Sequence, residues 1–443
     1  MKIEDKISKI LFKYIKKQES ILIAYSGGLD SSVLLHELFI FKKKQLIKNI
    51  RAIHINHLFS SHSISWENHC KKVCNTYKIP LIIKHIDKKI KKKSNTEEKL
   101  RIQRFKIIKK EILKKEILIT AHHLNDQCEN FILSVKRGSG ITGISGMYEY
   151  KKFFSNKIIR PLIYTKKKNI YQFAIKNNIS WIEDKSNKNN YYDRNFIRNV
   201  IFPKLEKKWP NFIKTCSRTI KICQENEKII NLLSNKIFKK CLNIDNSLNI
   251  DVLKKQPREL CSIILRKWIK IKKEKFPSYT SINRIYKEII YNNKNYKNIV
   301  FINKKKIMRY KNKIDIFPVF PNIKKKIIIW NTPFNSLKLP YHLGYIEKNI
   351  SGNRILKPKK NEIVSIRFQC SKKIWILGEK KEKKIKKIFQ KLNIPAWQRN
   401  CIPFLFYNEK FISALGVFTV KNKIKLNNKK FWTISWIKKI VQK

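Results

Sequence analysis

Ile21-Leu22-Ile23-Ala24-Tyr25-Ser26-Gly27-Gly28-Leu29-Asp30-Ser31-Ser32-Val33-Leu34-Leu35 reads as an apolar strand, a glycine turn and the start of a helix in consecutive residues. A helix beginning there aims its unsatisfied N–H groups and the positive end of its dipole at whatever fills the turn. Two glycines let the backbone approach oxygen atoms with no Cβ in the way. The turn therefore suits phosphate. It has no Gly-Lys-Ser/Thr and lacks the G-x-G-x-x-G spacing, so neither the ordinary P-loop nor the dinucleotide fingerprint applies. Ser26, Ser31 and Ser32 add hydroxyls, whereas Asp30 adds a carboxylate that repels phosphate unless a cation stands between them.

Outward from this turn, short apolar runs recur at residues 50–56, 80–86 and 116–120, each followed by a longer helix-like stretch. A repeat of about thirty residues is the length of a βαβ unit. The alternation predicts a doubly wound parallel sheet, in which ligands bind beyond the carboxyl ends of the strands. The residues to inspect are then Ser26–Ser32, His54, Asn56, His57, and Thr120-Ala121-His122-His123. The helix that follows the last of these carries Asp126 and Glu129 at i,i+3, on one face. With Asp30 they could hold Mg²⁺ on phosphates or bind an ammonium group, or simply complement a helix dipole.

Composition bounds the partners. Lys+Arg 100 against Asp+Glu 31 leaves a formal charge of +69, which predicts a polyanionic partner such as nucleic acid. The abundance of Lys, Ile and Asn beside only 10 Gly is also what biased base composition would produce. Six of those glycines lie between Gly27 and Gly146, and eight of the nine histidines lie at or before His123, so the chemistry is expected in the N-terminal third. Nine scattered cysteines without a C-x-x-C pair suggest neither a disulfide framework nor a zinc or iron–sulfur site. Cys70 and Cys74, at i,i+4, read as two small buried residues on one helix face. The charged start, Met1 to Lys6, is not a secretory signal, and no apolar run approaches bilayer length. A cytoplasmic location without membrane association is expected, and nothing in the chain specifies an oligomeric state.

Ser26–Ser32 resembles the PP-loop of ATP pyrophosphatases. Further segments follow in order: Ala121–Asn130, Lys136-Arg137-Gly138-Ser139-Gly140, Arg160-Pro161-Leu162, Trp181–Asn187 and Asp193–Arg198. Together they are similar to the tRNA(Ile)-lysidine synthase family, which joins free L-lysine to the wobble cytidine of the CAU-anticodon isoleucine tRNA using ATP. The resemblance implies an adenylated cytidine, displaced by the lysine ε-amine. It also implies ATP binding by Ser26, Gly27, Gly28, Leu29, Asp30, Ser31, His57 and His122, with Mg²⁺ on Asp30 and Asp126. Asp30, Asp126, Glu129 and Arg194 would be catalytic. Arg160, Arg194 and Arg198 are natural partners for the substrate carboxylate, ATP phosphates or tRNA, or else plain surface charges, and Asp184 and Asp193 sit close enough in sequence to neutralise Arg194 and Arg198 instead. Contacts to tRNA are expected from Arg101, Arg104, Arg137, Lys384, Lys387 and Arg399. The chain departs from the family pattern at Asn125, where Asp is usual, at Asn130, where Thr is usual, and at Phe105, where Tyr is common.

The resulting fold expectation is a PP-loop α/β domain over residues 1–212, a helical tRNA-contacting domain over 218–320 and a small α+β tRNA-binding domain over 355–443. Helices are expected at 218–238, 258–271 and 281–291. Phe389 and Trp397 read as core. Other PP-loop enzymes, such as a tRNA thiolase or an amidotransferase-type synthetase, would share the loop but bring a catalytic cysteine pair or a glutamine-hydrolysing domain, and neither is visible. A non-catalytic RNA-binding protein with a relic loop is the third reading.

Overall fold

The computed structural model describes residues 2–16, 19–56, 63–86, 96–272, 274, 277–292, 299–303, 305–319, 322–371, 373–376, 381–420 and 431–438. The chain forms two compact units, Met1–Leu233 and Ser234–Lys443.

The first unit opens with helix α1 (Ile3–Tyr14) and then alternates: β1 (Ile21–Ala24), α2 (Leu29–Lys43), β2 (Ile50–Asn56), α3 (Ser63–Thr76), β3 (Leu81–His85), α4 (Thr96–Glu111), β4 (Ile117–Ile119) and α5 (Leu124–Lys136). A short α6 (Ile141–Ile144), the hairpin β5 (Tyr150–Phe153) and β6 (Asn156–Ile159), and α7 (Lys167–Lys176) follow. The strands lie in the order β3-β2-β1-β4-β6-β5. All neighbours are parallel except the β5 edge, which is antiparallel to β6. Residues that alternate along a strand point to opposite faces, and the core splits accordingly. Ile21 and Ile23 pack with α1, α2, α3 and α7 on one side, while Leu22 joins Ile53, Ile108, Leu118 and Ile158 on the other. A strand covered on both faces needs an unbroken apolar run, which is why 21–24 reads as it does.

The chain moves outward from β1 through β2 to β3, then returns to place β4 on the other flank of β1. The crevice above β1 and β4 is therefore the switch point where such sheets bind ligands. It is flanked by the Ser26–Gly28 turn and by Thr120–His123.

Asp193–Phe196, a wide helical turn Ile197–Ile201 and Phe202–Lys208 run on as one helix, followed by the long helix Phe212–Cys241. Ile197, Phe202, Ile213, Cys216 and Ile220 pack against Leu124, Cys128 and Leu133 of α5. The expected boundary between 212 and 218 thus falls inside a continuous helix whose first turns belong to the α5 core.

In the second unit, helix Arg258–Ile271 has the expected limits. The region expected to form a helical domain over 218–320 ends instead in an antiparallel sheet, with Ile299–Ile302, Lys305–Tyr310 and Lys313–Pro318 paired in sequence. Further on, Tyr345–Leu356 pairs with Phe431–Ile437, so the last α+β region includes strands before residue 355. Phe389 is core, whereas Trp397 is half-buried against Phe317 and Tyr310. No helix among the described residues is long and apolar enough to cross a membrane.

Candidate active site

The turn after β1 is braced from within. Ser31 Oγ donates to the Gly28 carbonyl at 3.0 Å and accepts from the Ser26 N–H at 3.2 Å, while Ser26 Oγ accepts from the Gly28 N–H at 3.3 Å. Gly27 has φ +80°, and a Cβ there would stand 2.8 Å from the buried Cys70 sulfur. Glycine is thus required twice over, by conformation and by space. From the far side the Ile182 N–H donates to the Gly27 carbonyl at 3.0 Å, so the Trp181–Asp184 segment holds the turn down. Leu29, Asp30 and Ser31 form the first turn of α2, whose N–H groups have no earlier helical carbonyl to bond.

Asp30 is half-buried on this turn, with its Oδ1 buried and unpartnered in hydrogen bonding. Burial pushes its carboxyl above the ordinary range, partly offset by His123. His123 is the N-cap of α5: its Nδ1 accepts the Asp126 N–H at 3.2 Å, and Asp126 Oδ2 accepts the His123 N–H at 3.0 Å. An imidazole accepting at Nδ1 carries its proton on Nε2. That nitrogen lies 3.6 Å from Asp30 Oδ2. Burial alone would raise Asp126, but His123, His122, Arg194 and the backbone N–H hold it below the ordinary range. The two aspartates flank one ring with opposite shifts.

Glu129 belongs to another cluster. It is fully enclosed, and Arg198 Nε meets its Oε1 at 2.7 Å while Arg194 Nε lies 2.9 Å from its Oε2. Arg198 also reaches Asp126 Oδ1 at 3.3 Å, and Arg194 donates to Asn130 Oδ1 at 2.8 Å. Asp193 pairs with Lys136, so these arginines find their counter-charge on α5 and not beside them in sequence. Asn125 Oδ1 accepts the Lys167 N–H at 2.9 Å, which gives this departure from the family pattern a place at the start of α7.

His122 bonds Thr120 Oγ1 at 3.0 Å, and burial, with Arg160, Arg194 and Arg101 nearby, pushes its pKa down to about 3. Cys70 and Cys74 are buried, and burial raises both thiols to about 12, which leaves them inert. His57 lies outside the described residues. Among the described residues no group of three or more His, Cys, Asp or Glu could hold a metal ion. Magnesium, however, commonly takes only one or two carboxylates plus phosphate oxygens. Asp30, with a buried acceptor oxygen to spare, fits that role; the oxygens of Asp126 already accept from His123 and Arg198.

Residues 1–205 match the PP-loop domain and residues 364–436 the TilS substrate C-terminal domain. The tRNA(Ile)-lysidine synthase of Buchnera aphidicola subsp. Schizaphis graminum is 47% identical over 98% of this chain and 97% of its own. That of Salmonella heidelberg is 33% identical over 90% and 93%. The chain belongs to the tRNA(Ile)-lysidine synthase family. A solved U34-tRNA thiolase, NcsA from Methanococcus maripaludis, is similar at 20% identity with a TM-score of 0.42, covering 50% of this chain and 78% of that one.

The residues that resemblance to the lysidine synthases implies do not all come together. The structure gathers Ser26–Ser31, His122, His123 and Asp126 around the switch point, with Glu129, Arg194 and Arg198 as one ion-pair cluster beside Asp126. Arg101 and Arg104 are exposed on α4, and the charge of Arg101 is felt at His122. Arg137 is exposed at the end of α5, next to Gly138 and Gly140, where an added Cβ would meet open space. Lys384 and Lys387 are exposed on the second unit, whereas Arg399 is half-buried and donates to the Ile394 carbonyl at 2.9 Å. His123, which the sequence places among the post-strand residues at the ligand-binding end, has a role that its position there does not specify: it caps α5 and stands between Asp126 and Asp30.

Proposed function

We propose that this ATP-dependent ligase joins L-lysine to C2 of cytidine 34 in the CAU-anticodon tRNA(Ile), through an adenylated cytidine, with release of AMP and pyrophosphate, so that the tRNA reads AUA. The observation that carries this reading is the match to a lysidine synthase over nearly the full length of both chains.

The C2 oxygen of cytosine is a poor leaving group, and adenylation makes it a good one. In this reading the Ser26–Ser31 turn and the start of α2 receive the negative charge of the departing pyrophosphate, catalysis resting on position and preorganised dipoles. Asp30 would hold Mg²⁺, which would supply charge neutralisation on the phosphates. The ε-ammonium of lysine, with an ordinary pKa of about 10.4, must lose a proton before it attacks. Asp126, held ionised, would bind that ammonium through its remaining lone pairs. Neutral His122 adds no repelling charge. Glu129 contributes by holding Arg194 and Arg198 in place. Arg101, Arg104, Arg137, Lys384 and Lys387 would contact tRNA phosphates, with residues beyond 218 serving chiefly for RNA contact, and the enzyme would work in the cytoplasm.

The test is incubation with labelled lysine, ATP and unmodified CAU-anticodon tRNA(Ile). Lysine is expected in the RNA with one AMP released per lysine. Modification that depends on a sulfur donor, or RNA binding without AMP formation, would overturn the reading.

A further inference from the structure

Arg160 follows β6 directly. The Thr120 N–H donates to the Ile159 carbonyl at 3.1 Å, so Arg160 and the Thr120–His122 segment leave the sheet side by side at its ligand-binding end. The residue is only 6% exposed. Its Nη1 donates to the Tyr148 carbonyl at 2.7 Å, and its Nε is buried without a hydrogen-bond partner. Among the described residues no carboxylate lies within ion-pair distance of it. Its own N–H bonds the Glu149 carbonyl, but the Glu149 carboxylate accepts from Lys13 and Tyr14. Burial, reinforced by the charge of Arg101, pushes Arg160 down to about 10, which still leaves it charged near neutral pH.

A guanidinium cannot escape burial by shedding its proton, so it is costly until an anion reaches it. Arg194 and Arg198 have Glu129; Arg160 has no such partner. Position selects among the anions of the reaction. The phosphate cradle lies beyond β1, and Arg160 lies beyond β6, two strand spacings away across β4, or about 10 Å. An extended lysine separates its ammonium from its α-carboxylate by about 6 Å of carbon chain. With the ε-amine at His122 and Asp126, beyond β4, the carboxylate falls toward β6.

We propose that Arg160 receives the α-carboxylate of the amino-acid substrate and thereby selects an α-amino acid over a plain diamine. The inference rests on the lysine-ligating reading above. The experiment compares kcat/KM for lysine and for cadaverine, which keeps the reacting amine but has no carboxylate, in the wild type, Arg160→Met and Arg160→Lys. Thermal unfolding is followed for each. The wild type is expected to favour lysine by about 100-fold, the scale of a buried charged pair. That preference should collapse toward unity in Arg160→Met and be intermediate in Arg160→Lys, which keeps charge without the fork. If Arg160→Met does not fold, Arg160→Lys and the wild-type preference decide. A wild type that takes both amines equally would overturn the proposal, as would folded variants that keep the preference while KM for ATP rises. Failure of the wild type to ligate lysine at all would instead remove the synthase reading.

Discussion

Asp30 and Glu129 are both carboxylates at the carboxyl end of one sheet, yet their surroundings are opposite. Glu129 is fully enclosed and met by two guanidiniums; Asp30 keeps a buried oxygen with no hydrogen-bond partner. The arginines divide the same way, Arg194 and Arg198 compensated within the fold and Arg160 not. Compensated charges make a rigid wall, while uncompensated ones store an unfavourable energy that a ligand of opposite sign relieves. In a site of this kind, the missing partner is the better guide to substrate.

The contrast makes unlike demands on the two carboxylates. Asp30→Ala should lower AMP release by about 1,000-fold, the scale of losing a preorganised charge contact, while denaturant stability stays level or rises; normal pyrophosphate production by this variant would remove its role. Glu129→Ala should do the reverse in stability, stranding Arg194 and Arg198 and costing about 3 kcal/mol in urea unfolding. A variant as stable as wild type would show that the cluster is not structural. Gly27→Ala, strained at φ +80° and against Cys70, should cost about 2 kcal/mol, readable as a lowered Tm.

The pH dependence separates Asp30 from Asp126. Asp30 has a raised folded pKa, so its contribution to stability is full below the ordinary carboxylate pKa and is lost as pH rises through the folded value. For Asp126, held low, the contribution is present above the ordinary value and lost as pH falls through the folded one. Asp30→Asn should therefore gain stability relative to wild type as pH rises from about 4, and Asp126→Asn should gain relative to wild type as pH falls; parallel stability curves would remove the distinction. The smallest effect is expected at Arg137: Arg137→Ala should weaken tRNA binding a few-fold and reduce the salt slope by about one, as measured by filter binding at several salt concentrations.

Much of the first unit was legible because buried parallel strands are unbroken apolar runs. Residues 21–25, 50–56, 80–86 and 116–120 mark β1 to β4 to within a residue or so at each end. The antiparallel strands at 299–318 are hidden in a region that reads as helical, since lysine and asparagine stand in and between them and most of their residues are only partly buried, so no unbroken apolar run marks them. In the site, the glycine turn and the acids of α5 stood out by spacing. Their division of labour did not, because Glu129 finds Arg194 and Arg198 from 65 and 69 residues away in the chain. Asp193, the nearer candidate in sequence, pairs with Lys136 instead. Nor does sequence reveal that Arg160 is buried, since arginine is ordinarily exposed.

The reciprocal cap between His123 and Asp126 ties the orientation of that ring to local melting. Fraying the first turn of α5 would free the imidazole to rotate, scramble which nitrogen bears hydrogen and loosen the neighbouring carboxylate in a single event. Amide exchange at Asp126 would then report, minute by minute, how often the enzyme is out of tune.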